Sequence, residues 1–142
     1  MSIGSQNSAK TSHILGIDFG KADVGLALAD SETRIAFAYK TLKNDKDLLQ
    51  KISEIINQEG VETVVIGIPS HINRFNVDYE GEKLGEIIED NFGVEVEYQN
   101  EMFTTKMAQQ NLIERGVKGI KRYDDQEAAR IILQDWLDKK EL

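Results

Sequence analysis

The chain has 142 residues, with 17 Lys+Arg against 25 Asp+Glu and a formal net charge of -8, a length that fits one domain. It has no Cys and only two His, His13 and His71, which excludes disulfides, zinc–thiolate centres, cysteine nucleophiles and multi-His metal sites. Any metal must be a hard cation held by carboxylates, and the acidic balance argues against nucleic-acid binding by bulk charge.

Residues 1–12 are small and polar and read as a flexible leader without the apolar centre of a signal peptide. Residues 13–142 read as a single domain. His13–Phe19 is a short apolar strand, followed after tight turns by Val24–Ala29 and Arg34–Tyr39. Links this short permit only an antiparallel meander. A helix is predicted over about 45–58, with Leu48, Leu49, Ile52, Ile55 and Ile56 at three- and four-residue steps. Val61–Ile68 is a β-branched run and reads as a strand. The polar stretch 70–78 reads as a loop. A helix over about 79–92 carries Leu84, Ile87, Ile88 and Phe92, and Val94–Gln99 alternates as a strand. Thr104 or Thr105 can cap a further helix that stops at Gly116. A basic loop, Val117–Arg122, leads to a last helix over about 124–138. The order β-β-β-α-β-α-β-α-α predicts an α/β fold. Its five-stranded mixed sheet combines a three-strand antiparallel meander with two parallel strands, and helices lie on both faces. These connections fit a ribonuclease H-like architecture, although element order alone does not single it out. No segment approaches the ~20 apolar residues of a membrane span. No membrane association and a cytoplasmic location are the expectation.

Three carboxylates fall at element ends. Asp18 interrupts an apolar strand near its carboxyl end, between Gly16 and Gly20. It is either a turn residue or a ligand-binding group, since open α/β sheets bind ligands at that end. Glu101 follows the strand 94–99; taken alone it is a solvated loop glutamate. Asp124 can cap the last helix with Glu127 as capping-box partner. Asp125 would then sit in the first turn, on the stripe of Ala128, Ala129, Ile132, Leu133 and Trp136, aimed over the sheet. The bland alternative is that both aspartates cap. Three inward carboxylates at one sheet end repel unless a divalent cation neutralises them. An all-oxygen site suits Mg²⁺ or Mn²⁺, and paired ions of this kind hydrolyse phosphodiesters.

The motifs LGIDFG (15–20), Gly25 with LALAD ending at Asp30, VVIGIP (64–69), NEMFTT (100–105) and DQEAARIILQDWL (125–137) resemble the YqgF-type family. Its members are named Holliday junction resolvases or pre-16S rRNA nucleases and have a ribonuclease H-like fold. The resemblance spans Ile14 to about Leu137. It implies that Asp18, Glu101 and Asp125 are the catalytic and metal-binding residues. It also implies an endonuclease that uses Mg²⁺ or Mn²⁺ on structured nucleic acid, an rRNA precursor or branched DNA. Ribosomal precursor particles are then candidate partners, and the chain is a monomer or homodimer. The chain departs from the family pattern in the first turn, at Asn100 and Met102, and in the loop SHINRFNVD after Pro69. Ala22 and Asp23 replace a basic pair in the first turn, leaving Lys21, and Met102 replaces an arginine after Glu101.

Lys21, Lys118, Lys121 and Arg122, with Arg115, are candidate nucleic-acid-binding residues; a plain exposed loop explains the last four equally well. Thr104 and Thr105 either cap a helix or meet phosphate. His71, Arg74 and Phe75 decorate a loop or reach substrate. Asp30 is a fourth rim carboxylate or a hairpin residue. Two other functional readings stand beside the nuclease. One is a catalytically weak nucleic-acid- or protein-binding module on the same fold. The other is an actin-like nucleotide binder, suggested by GIDFG before a hairpin, although such folds normally clasp ATP between two domains.

Overall fold

The computed structural model describes residues 12–68, 80–100 and 120–140, with side chains in the last stretch from Asp125 onward. The elements are β1 (His13–Phe19), β2 (Asp23–Asp30), β3 (Ala36–Lys43), α1 (Leu48–Glu59), β4 (Val61–Ile68), α2 (Glu80–Phe92), β5 (Glu95–Asn100) and α3 (Ile120–Lys139). The strands form one sheet in the order β3-β2-β1-β4-β5. β1–β2 and β2–β3 are antiparallel, and β1–β4 and β4–β5 are parallel. This is the expected mixed sheet. The expected leader (apart from Ser12), the loop 70–78 and the helix ending at Gly116 lie outside the described residues.

The central strands are apolar on both sides because both sides are covered. On one face Leu15, Ile17, Val24, Leu26, Val64 and Ile66 pack against Leu48, Ile52, Ile55 and Ile56 of α1 and Leu84 and Ile88 of α2. On the other, Ile14, Ala27, Ala29 and Val65 pack against Ala129, Ile132, Leu133 and Leu137 of α3. Each fully buried Leu or Ile contributes about 1.5–3 kcal/mol. Small residues of β1 and β2 face α3, so the helix lies close. A Cβ on Gly16 would stand 2.8 Å from the Leu133 Cβ. Gly16 therefore makes room for α3.

Besides shifts of up to three residues at other element ends, three features differ from expectation. β3 starts two residues later and runs four further, to Lys43, because its ladder with β2 continues through a bulge near Leu26. Arg34 stays outside it with φ 58°. Ile87, on the predicted apolar stripe of α2, is 41% exposed, since its side of that helix faces outward. The third difference is the start of α3, at Ile120 rather than 124. Nothing in Ile120–Tyr123 breaks a helix, so residues 120–122 of the predicted basic loop and the caps at Asp124 and Asp125 give way to a longer helix; residues 117–119 lie outside the described residues. Lys121 and Arg122 belong to its first turn, and Asp125 is its sixth residue.

Arg34 couples the β2–β3 turn to the end of α3. Its guanidinium donates to the backbone oxygens of Leu137 and Lys140 at the helix C-terminus, where carbonyl groups carry partial negative charge; the Leu137 oxygen also accepts the Lys140 N–H at 3.2 Å. We expect Arg34→Ala to cost about 2 kcal/mol, read as a lower urea midpoint. Arg34→Gly should cost less, because glycine relieves the left-handed backbone. Equal losses would show that the backbone conformation carries no strain.

Along the other side of α3, the Trp136 indole donates to Glu97 at 3.1 Å, and the Lys140 ammonium lies 3.5 Å from Glu97. Desolvation opposes ionisation of Glu97. The Trp136 hydrogen bond, with help from Lys140, outweighs it and holds the carboxyl below the ordinary range.

Candidate active site

Asp18 is the sixth residue of β1 and pairs directly with Gly25 of β2. Residues opposite one another in an antiparallel ladder project to the same face, with Cβ positions about 5 Å apart. Gly25 faces α3: a Cβ built there would lie 2.0 Å from the backbone oxygen of Asp125 and 3.0 Å from its Cβ. Asp125 is thus seated on the bare backbone of Gly25, about one strand spacing from Asp18. Asp18 and Asp125 therefore lie at one end of one sheet face. Glu101 lies outside the described residues, and β5 ends at Asn100 immediately before it. β4 pairs with β1 through Ile17–Ile66 and with β5 through Gly67–Gln99. The carboxyl ends of these parallel strands therefore share the end occupied by Asp18.

Asp125 makes contacts with its surroundings, but its Oδ2 atom is buried and receives no hydrogen bond. As the sixth residue of α3 it stands beyond the first turn, where the helix dipole favours anions most. A cation bound between two carboxylates would offset their mutual repulsion. Two aspartates offering oxygens fit Mg²⁺ or Mn²⁺. Among the described residues no third His, Cys, Asp or Glu joins them.

The remaining candidates are dispersed. Lys21 is exposed in the β1–β2 turn at the Asp18 end. Lys121 and Arg122 lie on α3 five residues or fewer before Asp125; their side chains, like Lys118, Arg115, Thr104, Thr105, His71, Arg74, Phe75 and Met102, lie outside the described set. Asp30 is a turn residue: its Oδ1 accepts from the Glu32 N–H at 2.6 Å. It pairs with His13 at the opposite end of β1 from Asp18, so it cannot rim the site. Trp136 belongs to the α3 packing face, as predicted.

Three supporting features escape sequence reasoning. Gly25 is the seat of Asp125; an isolated glycine inside a strand is the one signal it gives. Asn44 brackets the turn bearing Lys21: its side chain donates to the Gly20 oxygen at 2.7 Å and its backbone N–H to the Ala22 oxygen at 2.9 Å. Gln99, 7% exposed, donates to Asp135 Oδ2 and ties the end of β5 to α3. The last two have no local signature, because their partners are remote in sequence.

A mixed sheet in this order, covered by helices on both faces, is the ribonuclease H-like fold. The chain shares that fold with Thermus thermophilus RuvC solved with a Holliday junction substrate (TM-score 0.55, 17% identity, 89% of this chain and 93% of that one). A Fowlpox virus resolvase solved with Holliday junction DNA is similar too (TM-score 0.57, 12% identity, 89% and 97%). The chain belongs to the RuvX family, described as Holliday junction resolvase, whose model matches residues 12–139. A relative from Acetivibrio thermocellus named "Putative pre-16S rRNA nuclease" is 35% identical over 136 residues, covering 89% of this chain and 96% of its own.

Proposed function

We propose that the chain is an endonuclease of the RuvX family that hydrolyses phosphodiester bonds in structured nucleic acid. Asp18, Asp125 and Glu101 would hold Mg²⁺ or Mn²⁺. The observation that carries this reading is the seating of Asp125 on Gly25, directly across from Asp18. When bound, the divalent ions supply Lewis-acid activation of water and neutralise charge on the leaving oxygen. The chain's own contribution is placement. β1 and α3 fix two carboxylates without flexible loops, α3 packing seals one of their oxygens from water, and Asn44 steadies the turn that brings Lys21 alongside. Lys21, Lys118, Lys121 and Arg122 would meet the phosphate backbone.

The names of the relatives favour two substrates, pre-16S rRNA and a Holliday junction; the chain would cut the first at its 5′ end, free or in a ribosomal precursor particle. The protein would act as a single domain in the cytoplasm, as a monomer or homodimer. Among the described residues no helix is long and apolar enough to cross a membrane. Cleavage of both substrates by purified protein with Mn²⁺ is the test, with Asp18→Asn alongside. Metal-dependent cleavage lost in Asp18→Asn supports the reading; cleavage that survives it identifies a contaminant and sinks the assignment.

A weakly catalytic binding module is the second reading. It is favoured by Ala22 and Asp23, which stand where the family has a basic pair and leave Lys21 as the sole cation of that turn. It predicts nucleic-acid binding without metal-dependent cleavage.

A further inference from the structure

Among the described strands β3 is one edge of the sheet, and its composition is at odds with the rest of the chain. Thr33 to Asn44 contains no Asp or Glu, in a protein of net charge -8. Phe37 is 64% exposed, and Lys40 and Lys43 are exposed. The Lys40 ammonium lies 5.2 Å from the centroid of the Tyr39 ring. Arg34, the other cation of this stretch, is engaged at the end of α3.

Lysines on an edge strand have an ordinary explanation: they prevent pairing with another edge. Phe37 is inconsistent with that explanation, because an exposed aromatic ring on an edge promotes the association that lysines discourage. Aromatic faces and ammonium groups along one extended backbone suit a different partner. Bases stack on rings while phosphates meet the cations, with little dependence on sequence.

The edge also leads to the carboxylates. Thr41 pairs with Gly25, the seat of Asp125, and Lys43 pairs with Asp23. β3 therefore ends at the same end of the sheet as Asp18. Asn44, the next residue, grips the turn that carries Lys21. Phe37 and Lys40 pair with Leu28 and Leu26, on the α1 side of the sheet, whereas Lys43 pairs with Asp23 on the Asp18 side, so a strand held by all three follows the edge over about 20 Å and crosses from one face to the other toward the site.

We infer that the β3 edge, through Phe37, Lys40 and Lys43, binds a single-stranded segment flanking the bond presented to Asp18 and Asp125. This rests on the nuclease reading above. The test is fluorescence anisotropy with labelled single-stranded RNA and DNA oligonucleotides in metal-free buffer, paired with cleavage of substrates that carry or lack a single-stranded flank. Phe37→Ala should weaken oligonucleotide binding about tenfold and raise KM for flanked substrates. Lys40→Ala with Lys43→Ala should lower the slope of log Kd against log salt by about 1.4. Ile87→Ala, which removes an exposed apolar side chain from α2, is the control and should bind as wild type. Unchanged affinity and KM in both β3 variants, with an active wild type, overturns this inference and leaves the nuclease reading intact. A wild type that neither binds nor cleaves any of these nucleic acids removes both. A dimer that Phe37→Ala dissociates in sedimentation velocity, without loss of oligonucleotide affinity, assigns the edge to a second copy of the chain and also overturns it.

Discussion

Gly25→Ala should destabilise the protein by about 3 kcal/mol and lower activity about a hundredfold in whatever protein still folds. The new Cβ would stand 2.0 Å from the Asp125 backbone oxygen and 2.3 Å from its carbonyl carbon. Neither atom belongs to a flexible side chain, so α3 must move by more than an ångström at that point. Such a shift carries the Asp125 carboxylate away from Asp18. It also opens the Ala129–Gly16 contact further along α3. Gly60→Ala is the matched control. Gly60 has φ 63° and nothing within 4 Å of an added Cβ. That variant costs about 1 kcal/mol through backbone strain alone and leaves the site untouched. Thermal unfolding followed by circular dichroism, with cleavage measured below both transitions, separates the two. An active Gly25→Ala would show that α3 can retreat without consequence, and that its close approach does not set the site.

Asp125→Asn and Asp18→Asn should each lower cleavage on the order of 10³-fold while leaving the metal-free protein as stable as wild type, or more stable by about 1 kcal/mol. Both substitutions keep shape and volume, so packing against Gly25 and Ala129 survives. What changes is charge. In the absence of a cation, two carboxylates about one strand spacing apart repel, and removing one charge relieves this. Function and stability therefore move in opposite directions, as they do where a site is strained for its task. Loss of stability in proportion to loss of activity would instead mark the two residues as structural. The double variant should be no worse than the weaker single one, since both carboxylates act as one unit.

Much of this was legible in the sequence, for identifiable reasons. β1 and β4 matched their predicted bounds because strands covered on both faces are continuous apolar runs bounded by polar or glycine residues. The buried face of α1 followed from Leu48, Ile52, Ile55 and Ile56. Asp18 and Asp125 could be singled out because each interrupts or extends an apolar pattern, where an unpaired charge is costly. The start of α3 was missed because Asp124 and Glu127 form a plausible capping box, and a local signal of that kind yields to a helix that can simply continue. β3 was displaced because its end is fixed by pairing with β2 and by the left-handed Arg34, neither of which leaves a periodic trace. Ile87 shows the same limit: spacing locates a helix face but not how far its neighbours extend to cover it. The seat of Asp125 on Gly25 joins residues far apart in the chain, so no window of sequence contains it. The net charge of -8 is likewise uneven in space, with cations on the β3 edge and carboxylates at the end of β1 and on α3.

The central claim is that Asp18 and Asp125 form a divalent-metal site, and a Mn²⁺ titration followed by loss of the free-ion paramagnetic resonance signal tests it most directly. Wild-type protein should bind Mn²⁺ at millimolar concentration or below, with Mg²⁺ competing, and the Asp18→Asn/Asp125→Asn double variant should not. No Mn²⁺ binding by the wild type in that range, or equal binding by the double variant, would contradict the account.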